Sequence, residues 1–108
     1  MTILAIHSED FESCIQANEL VFLDFWAPWC APCLAFAKVY ESVATDYPTI
    51  VFTKLNIEES PELSDSLEIR TIPHLLIIKK GIVIYSESGS MPASRLRELA
   101  DQALVADL

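Results

Sequence analysis

The chain has 108 residues, of which 52% are hydrophobic and 21% are charged, so it is long enough for one globular core and too apolar to be disordered. Its formal net charge is −9, and its seven basic residues are scattered, which argues against nucleic acid and anionic membranes as partners. No apolar run approaches the roughly 20 residues that a membrane helix needs, and the first residues lack the basic start and long apolar stretch of a signal peptide.

The first third of the chain is predicted to form a strand, a helix and a second strand. A short strand at residues 3–6 precedes a helix that runs from residue 8 or 9 to residue 17, and Ser8 can cap that helix. Residues 20–26 are apolar apart from one carboxylate, Asp24, and this run indicates a buried strand.

Two cysteines, Cys30 and Cys33, lie where this strand leads into a second helix. The helix is predicted to begin near Cys30, to accept Pro32 in its first turn, where an N–H has no helical partner, and to end at Pro48. Two cysteines three residues apart at a helix start can face each other across one turn, and the helix N-terminus stabilises a thiolate. The arrangement therefore suits the formation and cleavage of a disulfide.

The remaining elements continue the alternation of strands and helices. They are a strand at residues 50–56, a short helix from residue 60 to about 67, strands at 75–80 and 82–86 with Gly81 between them, and a last helix with an apolar stripe at Leu96, Leu99, Ala100, Ala103 and Leu104. Strands joined through helices favour parallel pairing, and the closing hairpin adds an antiparallel pair. We therefore predict a single α/β domain over residues 1–108, with a mixed sheet of four to five strands flanked on both faces by about four helices.

The cysteines indicate redox chemistry in a chain that is expected to be cytoplasmic, with a mature secreted form that has lost its signal as the alternative. Three cysteines are an odd count, and a lone C-x-x-C near a strand–helix unit is typical of a redox-active cytoplasmic protein. Cys30 is the better candidate nucleophile because it precedes the helix and lies near free N–H groups, whereas Cys33 is a turn further in. Cys33 would then resolve the mixed disulfide and release the reduced substrate. Cys14, on the first helix, is interpreted as a small buried hydrophobic residue.

Asp24 is the next candidate, because a carboxylate in an apolar strand is costly to bury without a partner. An aspartate with a raised pKa six residues before Cys30 could take the proton from Cys33 as that thiol attacks. Lys54 lies on the next strand and could reach Asp24 and tune its charge. The alternatives are an edge or solvated position for Asp24 and an exposed position for Lys54.

The dipeptide Ile72-Pro73 is the third candidate, because a proline at the start of a strand removes a ladder donor. If the bond is cis, it presents the backbone of Thr71 and Ile72 to an extended substrate, and the sequence leaves the isomer open. His74 follows directly, and it either titrates beside the thiols or is a strand histidine that lies away from them.

Acidic residues are concentrated in two stretches. They are Glu9, Asp10 and Glu12, and then Glu58, Glu59, Glu62, Asp65 and Glu68. Solvated helix faces that favour solubility are one explanation, and an acidic surface that selects basic partners is the other.

Together these features resemble the thioredoxin family over nearly the entire chain. The family motif Trp-Cys-Gly-Pro-Cys is matched with one change, and the segments of the family's buried aspartate, buried lysine and cis-proline are matched in the same order. The matches lie at residues 24–27, 29–33, 54–57 and 69–73, and at Gly81 and Gly89 in the hairpin and the last loop.

The resemblance implies a thioredoxin fold in which Cys30 is the nucleophile, Cys33 the buried resolving thiol and Asp24 the proton acceptor. It also implies a substrate groove, formed by Trp29, Ala31, Pro32, Thr71, Ile72, Pro73 and Gly89. The expected activity is the reduction of protein disulfides by a monomer without a cofactor other than its own disulfide. A separate NADPH-dependent flavin enzyme, thioredoxin reductase, is the expected partner that recharges it.

Some residues depart from the family pattern. Ala31 replaces the motif glycine, Leu34 replaces a position that is often basic, and His74 replaces a threonine. These changes leave the mechanism intact and bear on the substrate range and the pairing with a reductase.

Two other functions are compatible with the sequence. The chain could be a binding module or a dedicated partner subunit that uses the apolar groove around Trp29, Leu34 and Ile72 with little turnover. It could also hold a metal or an iron–sulfur cluster, although a zinc site needs four ligands and the chain has no second close pair of cysteines or histidines.

Overall fold

The computed structural model describes residues 3–108, so the first two residues of the expected domain lie outside it. The strands are β1 (Ile3–Ala5), β2 (Leu20–Trp26), β3 (Val51–Asn56), β4 (His74–Lys79) and β5 (Ile82–Ser88). The helices are α1 (Phe11–Ala17), α2 (Ala31–Ala44), α3 (Pro61–Ser66) and α4 (Ala93–Val105), and a 3₁₀ helix (Ser8–Asp10) precedes α1. None of the helices found in this range is both long and apolar enough to cross a membrane.

The five strands form one mixed sheet in the order β1-β3-β2-β4-β5. β1 and β2 pair with β3 in parallel, whereas β4 pairs antiparallel with both β2 and β5. β2 lies at the centre, and all of its residues except Trp26 are buried. This position explains why β2 is apolar on both faces apart from Asp24, and it shows that Asp24 is not at an edge of the sheet.

Helices cover both faces of the sheet, as predicted. On one face, Phe22 of β2 and Phe52 of β3 pack with Phe36 and Tyr40 of α2 and with Leu96 of α4, among others. On the other face the core is formed by the alternate strand residues and by residues of α1 and α3. It includes Leu23, Phe25, Leu55, Leu76, Phe11 and Leu63. Because successive side chains of β2 point to opposite faces of the sheet, this strand contributes residues to the cores on both faces.

The hairpin between β4 and β5 turns through two residues, Lys80 and Gly81. Their φ angles are +52° and +78°, and positive φ at both positions matches the right-handed twist of the two strands. The predicted hairpin is confirmed, and β5 continues two residues further than expected, to Ser88.

The start of α1 differs from the prediction, because Ser8 does not cap it. Asp10 is the N-cap residue of α1, and Ser8 lies in the 3₁₀ helix. The Ser8 hydroxyl instead accepts the N–H of Leu63 at 3.0 Å and the hydroxyl of Ser60 at 2.7 Å. Leu63 is in the first turn of α3, so Ser8 caps that helix across a distance of 55 residues in the sequence.

The end of α2 also lies earlier than predicted. The helix ends at Ala44 and not at Pro48. The N–H groups of Asp46 and Tyr47 donate to carbonyls three residues back, at 3.0 and 3.2 Å, so the chain tightens into turns before it reaches the proline.

Lys79 is a buried cation at the end of α4. It is 5% exposed, and its ammonium donates to the carbonyl oxygens of Ala103 (2.7 Å), Leu104 (3.1 Å) and Ala106 (2.8 Å). The last carbonyls of a helix have no partner within the helix and carry partial negative charge. Lys79 therefore fastens the C-terminal end of α4 to the sheet.

Replacement of Lys79 by methionine is expected to lower the free energy of unfolding by about 2 kcal/mol, because charge-assisted hydrogen bonds are lost while the apolar stem is retained. Urea unfolding followed by circular dichroism measures this change. Lys80→Met is the matched control, since Lys80 is exposed, and its effect is expected to stay within about 0.5 kcal/mol. Equal effects of the two substitutions would contradict this role of Lys79.

Candidate active site

The two cysteines of the C-x-x-C motif meet at the start of α2. Cys30 is the N-cap residue, with φ −95° and ψ 105°, and its sulfur accepts the N–H of Cys33 at 3.2 Å. Their Cα atoms are 5.2 Å apart and their side chains form a disulfide. The sequence-based expectation that the pair faces across one turn is confirmed, and Pro32 lies in the first turn, where it blocks no helical hydrogen bond.

The two sulfurs have different surroundings. Cys30 is 6% exposed and Cys33 is 1% exposed, in a small apolar cluster with Ala27, Ile57 and Ile72. The Cys30 sulfur lies 3.8 Å from the carbonyl oxygen of Ile72. Cys30 is therefore the more accessible residue of the pair.

The loop before β4 lies against Cys30. The Ile72–Pro73 peptide bond is cis, Thr71 is exposed and Ile72 is half-buried. The Pro73 ring is buried, so the backbone of Thr71 and Ile72 forms the accessible rim. Gly89 joins this loop through its N–H, which donates to the Pro73 carbonyl at 2.8 Å. Its φ of +111° favours glycine at that position.

The opposite rim of the site is apolar. Trp29 is 64% exposed and Leu34 is 48% exposed, and Ala31 and Pro32 are exposed as well. The Trp29 indole N–H donates to a carboxylate oxygen of Glu58 at 2.6 Å. Sequence reasoning placed Glu58 only in an acidic stretch and missed this contact, because the two residues are 29 positions apart and no local pattern connects them.

Asp24 lies behind Cys33, in the interior. It is 3% exposed, and its Oδ1 atom has no hydrogen-bond partner among the residues that the structure describes. Burial raises the pKa of Asp24 to about 8, although the nearby Lys54 charge opposes that rise. A cavity of about 160 Å³ joins Asp24 to Cys33. Its lining is formed by Asp24, Trp26, Cys33, Leu34, Ala37 and Lys54.

Lys54 is beside Asp24 in the sheet register, on the neighbouring strand β3. The two side chains form no ion pair in the described structure, and the Lys54 ammonium lies 5.3 Å from the centre of the Trp26 ring, in a cation–π contact. Lys54 is half-buried, so its charge acts on Asp24 through space.

His74 and Cys14 lie outside the cysteine cluster. His74 is half-buried, with Nε2 2.8 Å from the Ser86 hydroxyl. Cys14 is only half-buried, in contrast to the expectation of a buried residue, and partial burial raises the pKa of its thiol. Over residues 3–108, no three or more histidine, cysteine or acidic side chains come together as a metal-binding group.

Comparisons with known proteins match this fold and this site. The sequence model of the thioredoxin family matches residues 2–102. A relative from Streptomyces coelicolor is 37% identical over 100 residues, which cover 93% of this chain and 75% of that protein. A thioredoxin of Haemophilus influenzae is 33% identical over 102 residues, which cover 93% of this chain and 95% of that protein. The crystal structure of chloroplastic thioredoxin z has a TM-score of 0.89 at 29% identity, and it covers 98% of this chain and 97% of that one.

Proposed function

Because this chain belongs to the thioredoxin family, it is a thiol–disulfide oxidoreductase, and we propose that it reduces disulfides of other proteins with Cys30 as the nucleophile and Cys33 as the resolving thiol. The observation that carries this proposal is the Cys30–Cys33 disulfide at a helix start, in which Cys30 is more exposed, at 6%, than Cys33, at 1%. The alternative, a binding module with little turnover, is not favoured, because the chain belongs to the thioredoxin family and carries a close Cys–Cys pair at the family's motif.

The first step starts from the reduced protein. The Cys30 thiolate attacks one sulfur of the substrate disulfide, a Cys30–substrate disulfide forms, and the second substrate sulfur leaves as a thiolate. The N–H of Cys33 points at the Cys30 sulfur, so this hydrogen bond and the N-terminus of α2 favour the thiolate form.

The second step uses Asp24 as a proton acceptor. Cys33 gives its proton to the ionised form of Asp24, which is about a tenth of the molecules at pH 7 and half of them near pH 8. The Cys33 thiolate then attacks the Cys30 sulfur, the Cys30–Cys33 disulfide forms, and the remaining substrate sulfur leaves as a thiolate. The cavity between Asp24 and Cys33 can hold water that carries the proton, since a water molecule takes up about 30 Å³ in the liquid. The pKa of about 8 for Asp24 is close to that of an ordinary thiol, so the free-energy change of proton transfer from Cys33 to Asp24 is close to zero. The positive charge of Lys54 lowers the pKa of Asp24 and so favours its ionised form.

The substrate lies in a groove between two rims. Trp29, Ala31 and Pro32 form one rim, and the backbone of Thr71 and Ile72 forms the other, held by Pro73 and Gly89. Support comes from the exposure of the first three and from the 3.8 Å between the Ile72 carbonyl and the Cys30 sulfur. An extended segment of substrate would meet that carbonyl with its own N–H groups.

The cycle needs a source of two electrons. We assign this role to a separate NADPH-dependent flavin enzyme, a thioredoxin reductase, which returns the Cys30–Cys33 disulfide to the dithiol, and no other cofactor is required. A cytoplasmic location and a monomeric single domain over residues 1–108 remain part of the proposal. They suit a redox pair accompanied by an unpaired third cysteine, Cys14.

Cys33→Ser is expected to trap the substrate on Cys30, because serine cannot attack the mixed disulfide. After incubation of the reduced variant with a small protein that has an accessible disulfide, we expect at least about tenfold more covalent adduct than with the wild-type chain. Non-reducing electrophoresis and mass spectrometry measure the adduct and locate it at Cys30.

The matched control is the double variant in which Cys30 is also replaced by serine. An adduct that persists without Cys30 would show that another thiol, such as Cys14, forms it, and would refute the assignment of the nucleophile.

A further inference from the structure

Glu58 is an acidic side chain beside the active site to which the proposed mechanism assigns no role. Its carboxylate accepts the indole N–H of Trp29 at 2.6 Å, and Trp29 precedes the nucleophile Cys30 directly. Trp29 is 64% exposed, so the contact lies on the rim that a substrate touches.

The position of Glu58 is determined by its neighbours. The N–H of Ile57 donates to the Trp26 carbonyl at 3.0 Å, and the Ile57 side chain packs against the cluster that contains the two redox cysteines. The side-chain oxygen of Asn56, the last residue of β3, accepts the N–H of Glu58 at 2.9 Å. The backbone is therefore held at Ile57 and at Glu58, which keeps the Glu58 carboxylate beside the Trp29 indole.

The negative charge of Glu58 takes part in no salt bridge within the part of the chain that the structure describes. Among residues 3–108, no lysine, arginine or histidine forms an ion pair with this exposed carboxylate. Lys54, four residues earlier in the chain, lies over the Trp26 ring. On the same rim, Leu34 presents an apolar side chain. Arg70 is the cation of the loop before Pro73, and it is the group that would favour the opposite kind of substrate.

We propose that Glu58 is a specificity-determining residue, which holds the Trp29 indole in place and selects substrates that carry a lysine or arginine beside the disulfide. The inference rests on the proposed function, because it concerns the substrate of that same site. A cation in this position meets the carboxylate while the neighbouring substrate residues cover Trp29 and Leu34. Of the two explanations for the acidic stretch that contains Glu58, this role favours an acidic surface that selects basic partners. The selection is attributed to the single carboxylate of Glu58.

The test compares three peptides of equal length that contain one disulfide flanked by arginine, serine or glutamate. Dithiothreitol supplies the electrons, and kcat/KM is measured for each peptide. Wild type is expected to prefer the arginine peptide over the glutamate peptide by about fivefold at low ionic strength, and the preference should shrink when salt screens the charges.

Three variants separate the two roles of Glu58. Glu58→Gln keeps an oxygen that can accept the indole N–H and removes the charge, so the preference should fall close to one. Glu58→Ala removes both the charge and the oxygen that accepts the indole N–H. Because Trp29 then loses its hydrogen bond, we also expect a higher KM for the serine peptide and a change in Trp29 fluorescence. Glu59→Gln is the matched control: its carboxylate is also exposed, with no hydrogen bond to Trp29, and the preference should persist.

Equal loss of preference in Glu58→Gln and Glu59→Gln would overturn the proposal, since the selection would then come from net charge. A wild-type preference for the glutamate peptide would also overturn it and point to Arg70. Failure of the proposed function looks different, because the wild-type chain would then accelerate the reduction of none of the three peptides, the neutral one included.

Discussion

Cys30→Ser is expected to lower the catalysed rate of disulfide reduction by on the order of a thousandfold or more, to the rate of dithiothreitol alone. A serine hydroxyl is not ionised at neutral pH, so no nucleophile remains at the surface of the site. The other sulfur of the pair, Cys33, is 1% exposed and cannot meet a substrate protein. The measurement is the reduction of a protein disulfide by dithiothreitol with and without the variant.

Cys14→Ser is the matched control for this experiment. Cys14 is the third cysteine of the chain; it is half-buried on α1, outside the cluster of the redox pair. We expect this variant to retain the wild-type rate. Substantial activity of Cys30→Ser, or loss of activity in Cys14→Ser, would contradict the assignment of Cys30 as the nucleophile.

Asp24→Asn is expected to raise the free energy of unfolding by about 3 kcal/mol at pH 7, because it removes the cost of burying an ionisable carboxyl. The native state holds the Asp24 proton up to about pH 8, whereas the unfolded chain releases it near pH 4. The native state therefore binds more protons between these values, and wild-type stability falls as the pH rises through this window. The variant should lack that decline.

Urea unfolding between pH 4 and pH 9 measures this difference, and Asp65→Asn is the control, because Asp65 is exposed on α3. Parallel pH profiles for wild type and Asp24→Asn would show that Asp24 keeps an ordinary pKa in the native state. The same variant should slow the resolution of the mixed disulfide about tenfold or more at pH 8, where about half of wild-type Asp24 is ionised and can accept the Cys33 proton.

Local patterns were sufficient to predict most of the fold. β2 was predicted at its observed bounds, because a central strand buried on both faces leaves a run that is apolar apart from Asp24. The start of α2 was predicted from the chemistry of its first turn. Its end was not, because turns with i→i+3 hydrogen bonds stop the helix before Pro48, and the sequence carries no comparable pattern for them.

The cysteine pair could be predicted from the sequence, because two cysteines three residues apart at a helix start lie within one turn. This local geometry brings Cys30 and Cys33 together without contacts from other elements. The candidate partners Asp24 and Lys54 were also identified there, as polar residues on predicted strands. Their relationship required the sheet, because the parallel register places them side by side and the central position of β2 buries the carboxyl.

The remaining features of the site and its support depend on contacts between distant parts of the chain. Glu58 meets Trp29 across 29 residues, Lys79 meets the end of α4 across 24, and Ser8 caps α3 across 55. Hydrophobic periodicity and helix-start chemistry operate within one element, so the sequence indicates which elements form and where the redox pair lies. Which side chains meet between elements is determined by strand register and helix packing, and these follow from the assembly of the whole core.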